Sequence, residues 1–370
     1  MTKDINDSFG YHRGRNDISI DQHISDKQIE LANKISDKRS IYLDIKYWII
    51  LCEASLKRSK SDLDYDLLEL VARLVEEELV FFPISESIYA ELMKQDDPLT
   101  RLETARLIDK FSTGVALIPY EMRVGTEIAH VMHQSIDPDK IHPLRMMVWT
   151  KVSNVLGAFI PSNTVFDVQT ELVVQKAFFD HLWNYSLFDM LAKFESGVNH
   201  PVPNFESLAE NLNRNNEKHS AELRSYEQTY LNEIAGAVEL YSDVARDVIN
   251  KMAERQGIPG EGELEAGRKI MNIFREAYRK GTINESAPTL DIHARCHASV
   301  RWNKGRKIEA NDIFDFNHAA AALGYTSAFF TERSLCNLLT EKKIALDNIH
   351  NCTVLYKVKD SLEYLQAFNN

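Results

Sequence analysis

Along the 370-residue chain, the pattern of apolar and polar positions marks three stretches of different character. Residues 1–40 hold seven basic and seven acidic side chains and few large apolar ones. They read as a polar N-terminal arm, a mobile or partner-binding segment that packs on the body. From Ile41 the pattern changes. IYLDIKYWIIL, rich in β-branched and aromatic residues, reads as a buried strand. Leu67, Leu70, Val71, Leu74 and Val75 share one face of a helix over 62–78. A second strand, LVFFPIS, spans 79–85 and leads into a helix carrying Glu86 and Glu91. Another helix near 99–112, a third strand at 114–118 (GVALI) and a helix over 121–134 follow.

Between 136 and 285 the strand signals fade. Residues 205–256 are rich in Glu, Asn and Lys, with Leu231, Ile234, Val238, Tyr241, Val244 and Val248 at helical spacing. GIPGEG at 257–262 breaks that run, and a further helix is expected over 263–280. Strands return at YTSAFFT (325–331) and CTVLYKV (352–358). Strands alternating with helices on both sides of a helix-only middle predict an α/β fold, with a mainly parallel central sheet flanked by helices. The expected core joins 41–135 to 286–370 around an all-helical insertion at 136–285. Strands near 41–45, 79–84, 114–118, 326–330 and 352–357 are all expected in one sheet. The stripe in 205–256 cannot be buried by those helices alone, which predicts packing on another helix, a homo-oligomer or a protein partner.

Composition narrows the classes. No apolar run approaches the roughly 18 residues of a membrane span, and the first residues lack the apolar core of a signal peptide. Cys52, Cys296, Cys336 and Cys352 are scattered, with no CxxC pair, as expected of free thiols in a reducing cytoplasm. The net charge of −12 argues against a protein that coats nucleic acid by bulk electrostatics. It leaves room for a nuclease, whose acids recruit metal while a local basic strip meets the substrate. Residues 266–307 supply such a strip: ten Lys or Arg against three acids, +7, leaving −19 for the rest. Phe274, Tyr278 and Trp302 interleave, which suits backbone contacts plus base stacking. Arg295, Arg301, Lys304, Arg306, Lys307 and Arg333 are the candidate nucleic-acid contacts.

The candidate chemistry is acidic. In an open α/β sheet, sites form at the carboxyl ends of strands. Asp44 lies within the first apolar strand, where a carboxylate is costly unless metal or hydrogen bonds compensate; capping a following turn is the plainer role for it. Glu91 follows the end of the second strand by six residues. In IEANDIFDFNHAAAALGYTSAFFTERS, Asp312 and Asp315 share one face of a helix's first turn, a small-residue run lets that helix lie close on the sheet, and the next strand ends at Thr331-Glu332. Asn311 or Asp312 is expected as the N-cap.

This order of motifs resembles the PIN-domain and PIN-like nucleases: a strand ending in Asp (Asp44), Ser-x5-Glu at a strand-to-helix junction (Ser85 to Glu91), an Asp opening an Ala-rich helix (Asp312 or Asp315), and a strand ending in Thr (Thr331) before a polar or acidic residue (Glu332). The stretch RLETARLIDKFSTGVALIPYE resembles the family's helix–strand step between its second and third acids. The likeness covers about 150 residues, 41–135 and 305–357. It implies a metal-dependent endoribonuclease, with Asp44, Glu91, Asp312 and Asp315 as ligands of Mg²⁺ or Mn²⁺, Glu332 as an auxiliary, and single-stranded RNA as substrate. A toxin or antiphage-defence role is known among such proteins. The chain departs from the pattern at Arg333, where the family places its fourth acid, and in its long insertion. That departure motivates a second reading, a PIN-like scaffold that binds RNA or a protein without cleaving. A third is metal-independent: Arg123 and His130 match the loose R-x6-H spacing of HEPN ribonucleases. Glu127, His130 and His133 are otherwise expected on an ordinary polar helix face, and His293 and His297 on a helix surface.

Overall fold

The computed structural model describes residues 5–136, 141–194, 205–219, 223–257, 259–260, 262–303 and 306–369. Helices α1 (Ile5–His12) and α2 (Ile20–Ile35) precede β1 (Arg39–Leu43), α3 (Ile45–Ser55), α4 (Asp62–Glu76) and β2 (Val80–Phe81). Next come α5 (Glu86–Leu92), α6 (Pro98–Phe111), β3 (Val115–Leu117) and α7 (Tyr120–Ile136). Beyond it lie β4 (Trp149–Lys151), α8 (Val168–Trp183), α9 (Leu187–Phe194), α10 (Glu206–His219) and α11 (Tyr226–Leu240). They are followed by α12 (Ser242–Gln256), α13 (Glu263–Lys280), α14 (Ile283–Ser286), α15 (Pro288–Trp302) and α16 (Ala310–Tyr325). The last elements are β5 (Ala328–Phe330), α17 (Arg333–Thr340), α18 (Leu346–Ile349), β6 (Thr353–Leu355) and α19 (Val358–Gln366).

The protein is α/β and mostly helical, with a four-stranded, all-parallel sheet in the order β2-β1-β5-β6. Arg39 and Ser40 pair with Val80 and Phe81, while Ala328, Phe329 and Phe330 pair with Thr353, Val354 and Leu355. The 114–118 strand does not join that ladder as expected. β3 instead pairs antiparallel with β4, Val115 opposite Lys151 and Leu117 opposite Trp149, and keeps one parallel bridge, Ala116 to Ile84. β4 also corrects the helix-only reading of the middle. At three residues it is too short to leave a periodic signal.

Two compact units divide the chain. Unit 1 comprises Met1–Pro119, Arg145–Val202 and Tyr356–Asn370; unit 2 comprises Tyr120–Leu144 and Pro203–Leu355. In unit 1 the residues expected as a polar arm are largely helical. Ser19 caps α2 by accepting the Gln22 amide, and both α1 and α2 pack against α8. All five apolar positions read for α4 are buried, against α3 and α19. Each such aliphatic contributes about 1.5–3 kcal/mol by leaving water.

In unit 2 the α11 stripe is covered from within. Tyr230, Ile234 and Val238 share one buried cluster with Val124 and Ile128 of α7, Ile270 and Phe274 of α13, and Leu290 and Ala294 of α15. This internal cover removes that stripe as a motive for a second copy of the chain. The Ala-rich helix α16 lies close on α15: a side chain at Gly324 would meet the Cβ of Pro288 at 3.3 Å. Among the described residues no helix is long and apolar enough to cross a membrane.

Candidate metal centre

In unit 1, three fully buried residues of β1, Ile41, Tyr42 and Leu43, deliver Asp44 at the strand's carboxyl end, where it is 4% exposed. Asp44 occupies the N-cap position of α3 in an extended conformation, yet its side chain makes no capping hydrogen bond. Elsewhere in the unit, N-cap aspartates do cap. Asp97 accepts the amides of Leu99 and Thr100, and Asp167 those of Gln169 and Thr170. Capping therefore does not account for the buried carboxylate.

A latch positions its neighbour. The Tyr42 hydroxyl, two residues before Asp44, shares a 2.5 Å hydrogen bond with the buried Ser85 hydroxyl. Ser85 also caps α5, accepting the Ser87 amide at 3.3 Å. The end of β1 is thus tied to the start of α5, and Glu91 follows about a turn and a half along that helix. A carboxylate oxygen of Asp44 and one of Glu91 lie within 4.8 Å of each other. Two carboxylates this close, one of them buried, repel unless a cation or hydrogen-bond donors compensate. An all-oxygen donor pair fits hard ions such as Mg²⁺ or Mn²⁺.

The unit 2 acids are arranged differently. Glu309, rather than Asn311 or Asp312, is the N-cap of α16, and its side chain forms a reciprocal capping box with Asp312 at N3. Asp312 Oδ2 accepts the Glu309 amide at 2.9 Å, and its other oxygen accepts a hydrogen bond from Arg306. Asp312 is thereby committed to opening the helix, which leaves Asp315 as the better ligand candidate of the two. Asp315, one turn on, is partly buried, and His318, a further turn on, is 1% exposed. The sequence reading passed over His318, although the D-x2-D-x2-H spacing places it on the same helix face. Thr331 is buried and extends the β5–β6 ladder through its amide to the Leu355 carbonyl at 2.8 Å. Glu332 is exposed at the N-cap of α17, and Arg333 beside it is exposed as well.

Much of the expected basic strip is engaged within unit 2. Arg295 bonds Asp291 through Nε at 2.9 and 3.0 Å and lies over the Tyr230 ring. Arg301 pairs with Glu233, and Arg306 with Asp312. Lys307 makes a surface ion pair with Glu217 at 3.2 Å, and Lys304 lies outside the described residues. Glu233, Asp312 and Glu217, all outside the strip, meet three of its charges, a pairing that a windowed charge count cannot register.

The HEPN-like pair sits on α7, but Arg123 is 0% exposed and His130 donates from Nε2 to the His142 carbonyl at 3.2 Å. A guanidinium enclosed in the unit is not presented to a substrate. Glu127 does not belong to a polar surface either. It is 0% exposed and accepts the Thr289 amide at 2.8 Å, the Leu290 amide at 3.3 Å and the Tyr325 hydroxyl at 2.5 Å. Burial outweighs those bonds and pushes its carboxyl up to about 6. His297 is buried and His293 half-buried: their rings lie 4.5 Å apart, His293 is tilted against Tyr120, His297 meets Phe316 edge to face, and burial lowers both pKa values. No protein-family model matches the chain, and neither a curated protein nor a solved structure does.

Proposed function

We propose that the chain is a metal-dependent endoribonuclease of PIN-like type, with Asp44 and Glu91 as the first two ligands. One observation carries this reading: a buried Asp at the end of a parallel strand that spends no hydrogen bond on the helix it precedes and has a second carboxylate within 4.8 Å. The YLD and Ser-x5-Glu motifs that carry the resemblance contain these two residues. Mg²⁺ or Mn²⁺ held there would neutralise phosphodiester charge and acidify a bound water. The chain's own part is to hold both carboxylates in place through the Tyr42–Ser85 latch. The resemblance assigns the third acid to α16, where Asp315 is the candidate.

The second reading, a non-cleaving PIN-like scaffold for RNA or a protein, is favoured by the Arg306–Asp312 pair and by Arg333 in place of the fourth acid. One assay separates the readings. Purified protein is incubated with mixed single-stranded RNAs, with Mg²⁺ or Mn²⁺ or with chelator, as wild type, Asp44→Asn, Asp315→Asn and His130→Ala. Cleavage that needs the ion and disappears in Asp44→Asn and Asp315→Asn supports the nuclease. Chelator-resistant cleavage lost only in His130→Ala would replace it with the metal-independent reading. Cleavage under no condition favours the scaffold.

A further inference from the structure

Unit 1 brings together a second set of metal-ligating side chains, from three helices and unrelated to the acids above. His12 ends α1, His23 lies in the first turn of α2, and Asp180 is on α8. His12 Nε2 is 2.9 Å from Asp180 Oδ2, and His23 Nε2 is 2.9 Å from Oδ1. The ligand atoms of all three lie within 4.8 Å of one another. The Ser8 hydroxyl, one turn before His12, donates to Oδ2 at 2.7 Å. The imidazole rings meet edge to face with centroids 4.8 Å apart. Beside them opens a cavity of about 390 Å³, lined also by Tyr11, Arg15 and Lys27.

The plainer role for this cluster is a hydrogen-bonded hub that pins α1 and α2 to α8. Two details go beyond it. First, two of the carboxylate's partners are imidazoles, the commonest metal-ligating side chain, although on α1 the Ser8 hydroxyl already serves for pinning. Second, the His12 ring is 2% exposed, and its Nδ1 is buried with no hydrogen-bond partner. Buried polar atoms are rarely left so. A tautomer shift or ring flip of His12 toward an ion therefore breaks no bond other than the one to Asp180.

We propose that His12, His23 and Asp180 bind a first-row transition-metal ion of the zinc type, with the Ser8 hydroxyl or a water completing the shell. Neutral imidazole and carboxylate together suit Zn²⁺, in contrast to the oxygen-only pair at Asp44. Around a four-coordinate ion, ligand atoms stand roughly 3.3 Å apart, so the present spacing needs only small side-chain shifts. Lys27, whose Nζ is 3.8 Å from Asp180 Oδ1 and whose side chain is 31% exposed, competes for the carboxylate and swings outward when the ion enters. A loaded site would clamp the two N-terminal helices to α8.

Cobalt(II) titration of the metal-stripped full chain tests this, read by visible d–d absorption and equilibrium dialysis. Wild type should take up one four-coordinate Co²⁺ that Zn²⁺ displaces. The same band should persist in Asp44→Asn, which separates this site from the acidic pair. His23→Gln and Asp180→Asn keep hydrogen-bonding side chains and should each bind about tenfold more weakly or worse, whereas Lys27→Met should bind more tightly. Absence of a four-coordinate band in wild type at saturating Co²⁺ overturns the proposal, and so does binding unchanged in both ligand variants. If either ligand variant fails to fold by circular dichroism, the wild-type band and the Lys27→Met titration still decide.

Discussion

Asp44 in unit 1 and Asp291 in unit 2 are both withdrawn from water, 4% and 0% exposed, yet their surroundings differ in kind. Asp291 is surrounded by donors: the Tyr230 hydroxyl at 2.6 Å, Arg295 Nε at 2.9 and 3.0 Å, and His350 Nε2 at 3.0 Å. Burial alone would raise its carboxyl, but the His350 bond and the Arg295 guanidinium outweigh that and hold it below the usual value. Asp44 instead has another carboxylate, Glu91, at hand and leaves the adjacent helix uncapped. A buried acid met by arginine and tyrosine is explained by the fold it stabilises. The proposed metal site rests on the other case, a buried acid with a second carboxylate within 4.8 Å. Asp180 stands between them, saturated with donors, but two of those donors are imidazoles that can exchange a hydrogen bond for a metal bond. The chemistry of the partner, more than the degree of burial, separates these cases.

The largest effect that sharpens this contrast is expected at Asp291. Asp291→Ala strands Arg295 and His350 in the interior and should cost about 3–5 kcal/mol, as breaking buried ion pairs does. Chemical denaturation followed by circular dichroism measures it. A loss below 1 kcal/mol would mean that water reaches this network and that the contrast with Asp44 has been drawn too sharply.

A smaller effect belongs to Glu127, whose folded-state pKa of about 6 lies above its ordinary 4.5. Between those values the folded state binds more protons than the unfolded chain, so this contribution to stability is complete below about pH 4.5. It declines as pH rises through about 6 and is level above, by about 2 kcal/mol in all. Glu127→Gln cannot titrate, so the difference between its stability–pH curve and that of wild type isolates the contribution. Parallel curves across that window would show that Glu127 is ionised throughout.

The smallest effect is expected at Asp44, whose side chain does not cap the helix it precedes. Asp44→Asn relieves like-charge repulsion from Glu91, so thermal stability should stay within about 0.5 kcal/mol of wild type or rise slightly. Destabilisation comparable to that of Asp291→Ala would place Asp44 among the structural acids and break the comparison.

Much of the local structure was legible. The stripe Leu67, Leu70, Val71, Leu74 and Val75 identified α4 residue for residue. The expected helix over 263–280 has the bounds of α13, and β2, β5 and β6 fall within the runs read as strands. IYLDIKYWIIL, read as one buried strand, instead divides at Asp44: β1 ends at Leu43 and Ile45–Ser55 is α3. A short run buried on all sides carries no period that tells strand from helix. Asp44 and Glu91 were legible because each sits at a strand-to-helix junction with its own short motif. Other partners were not. His12 and Asp180 are 168 residues apart and bond directly, and the spacing does not show that Arg306 pairs with Asp312. Arg123, Glu127 and His297 are polar letters that ended in the interior.

By itself, the sequence determined helices such as α4 and α13, since an apolar stripe is settled over a few turns of chain. It also determined which acids stand at strand ends. Tertiary structure alone decided that β3 leaves the parallel sheet for β4, that unit 2 covers its own α11 stripe, and which carboxylate meets an arginine, an imidazole or another carboxylate. Those outcomes depend on contacts between residues tens to hundreds of positions apart, where burial makes each unpaired polar group costly and so selects one partner among many.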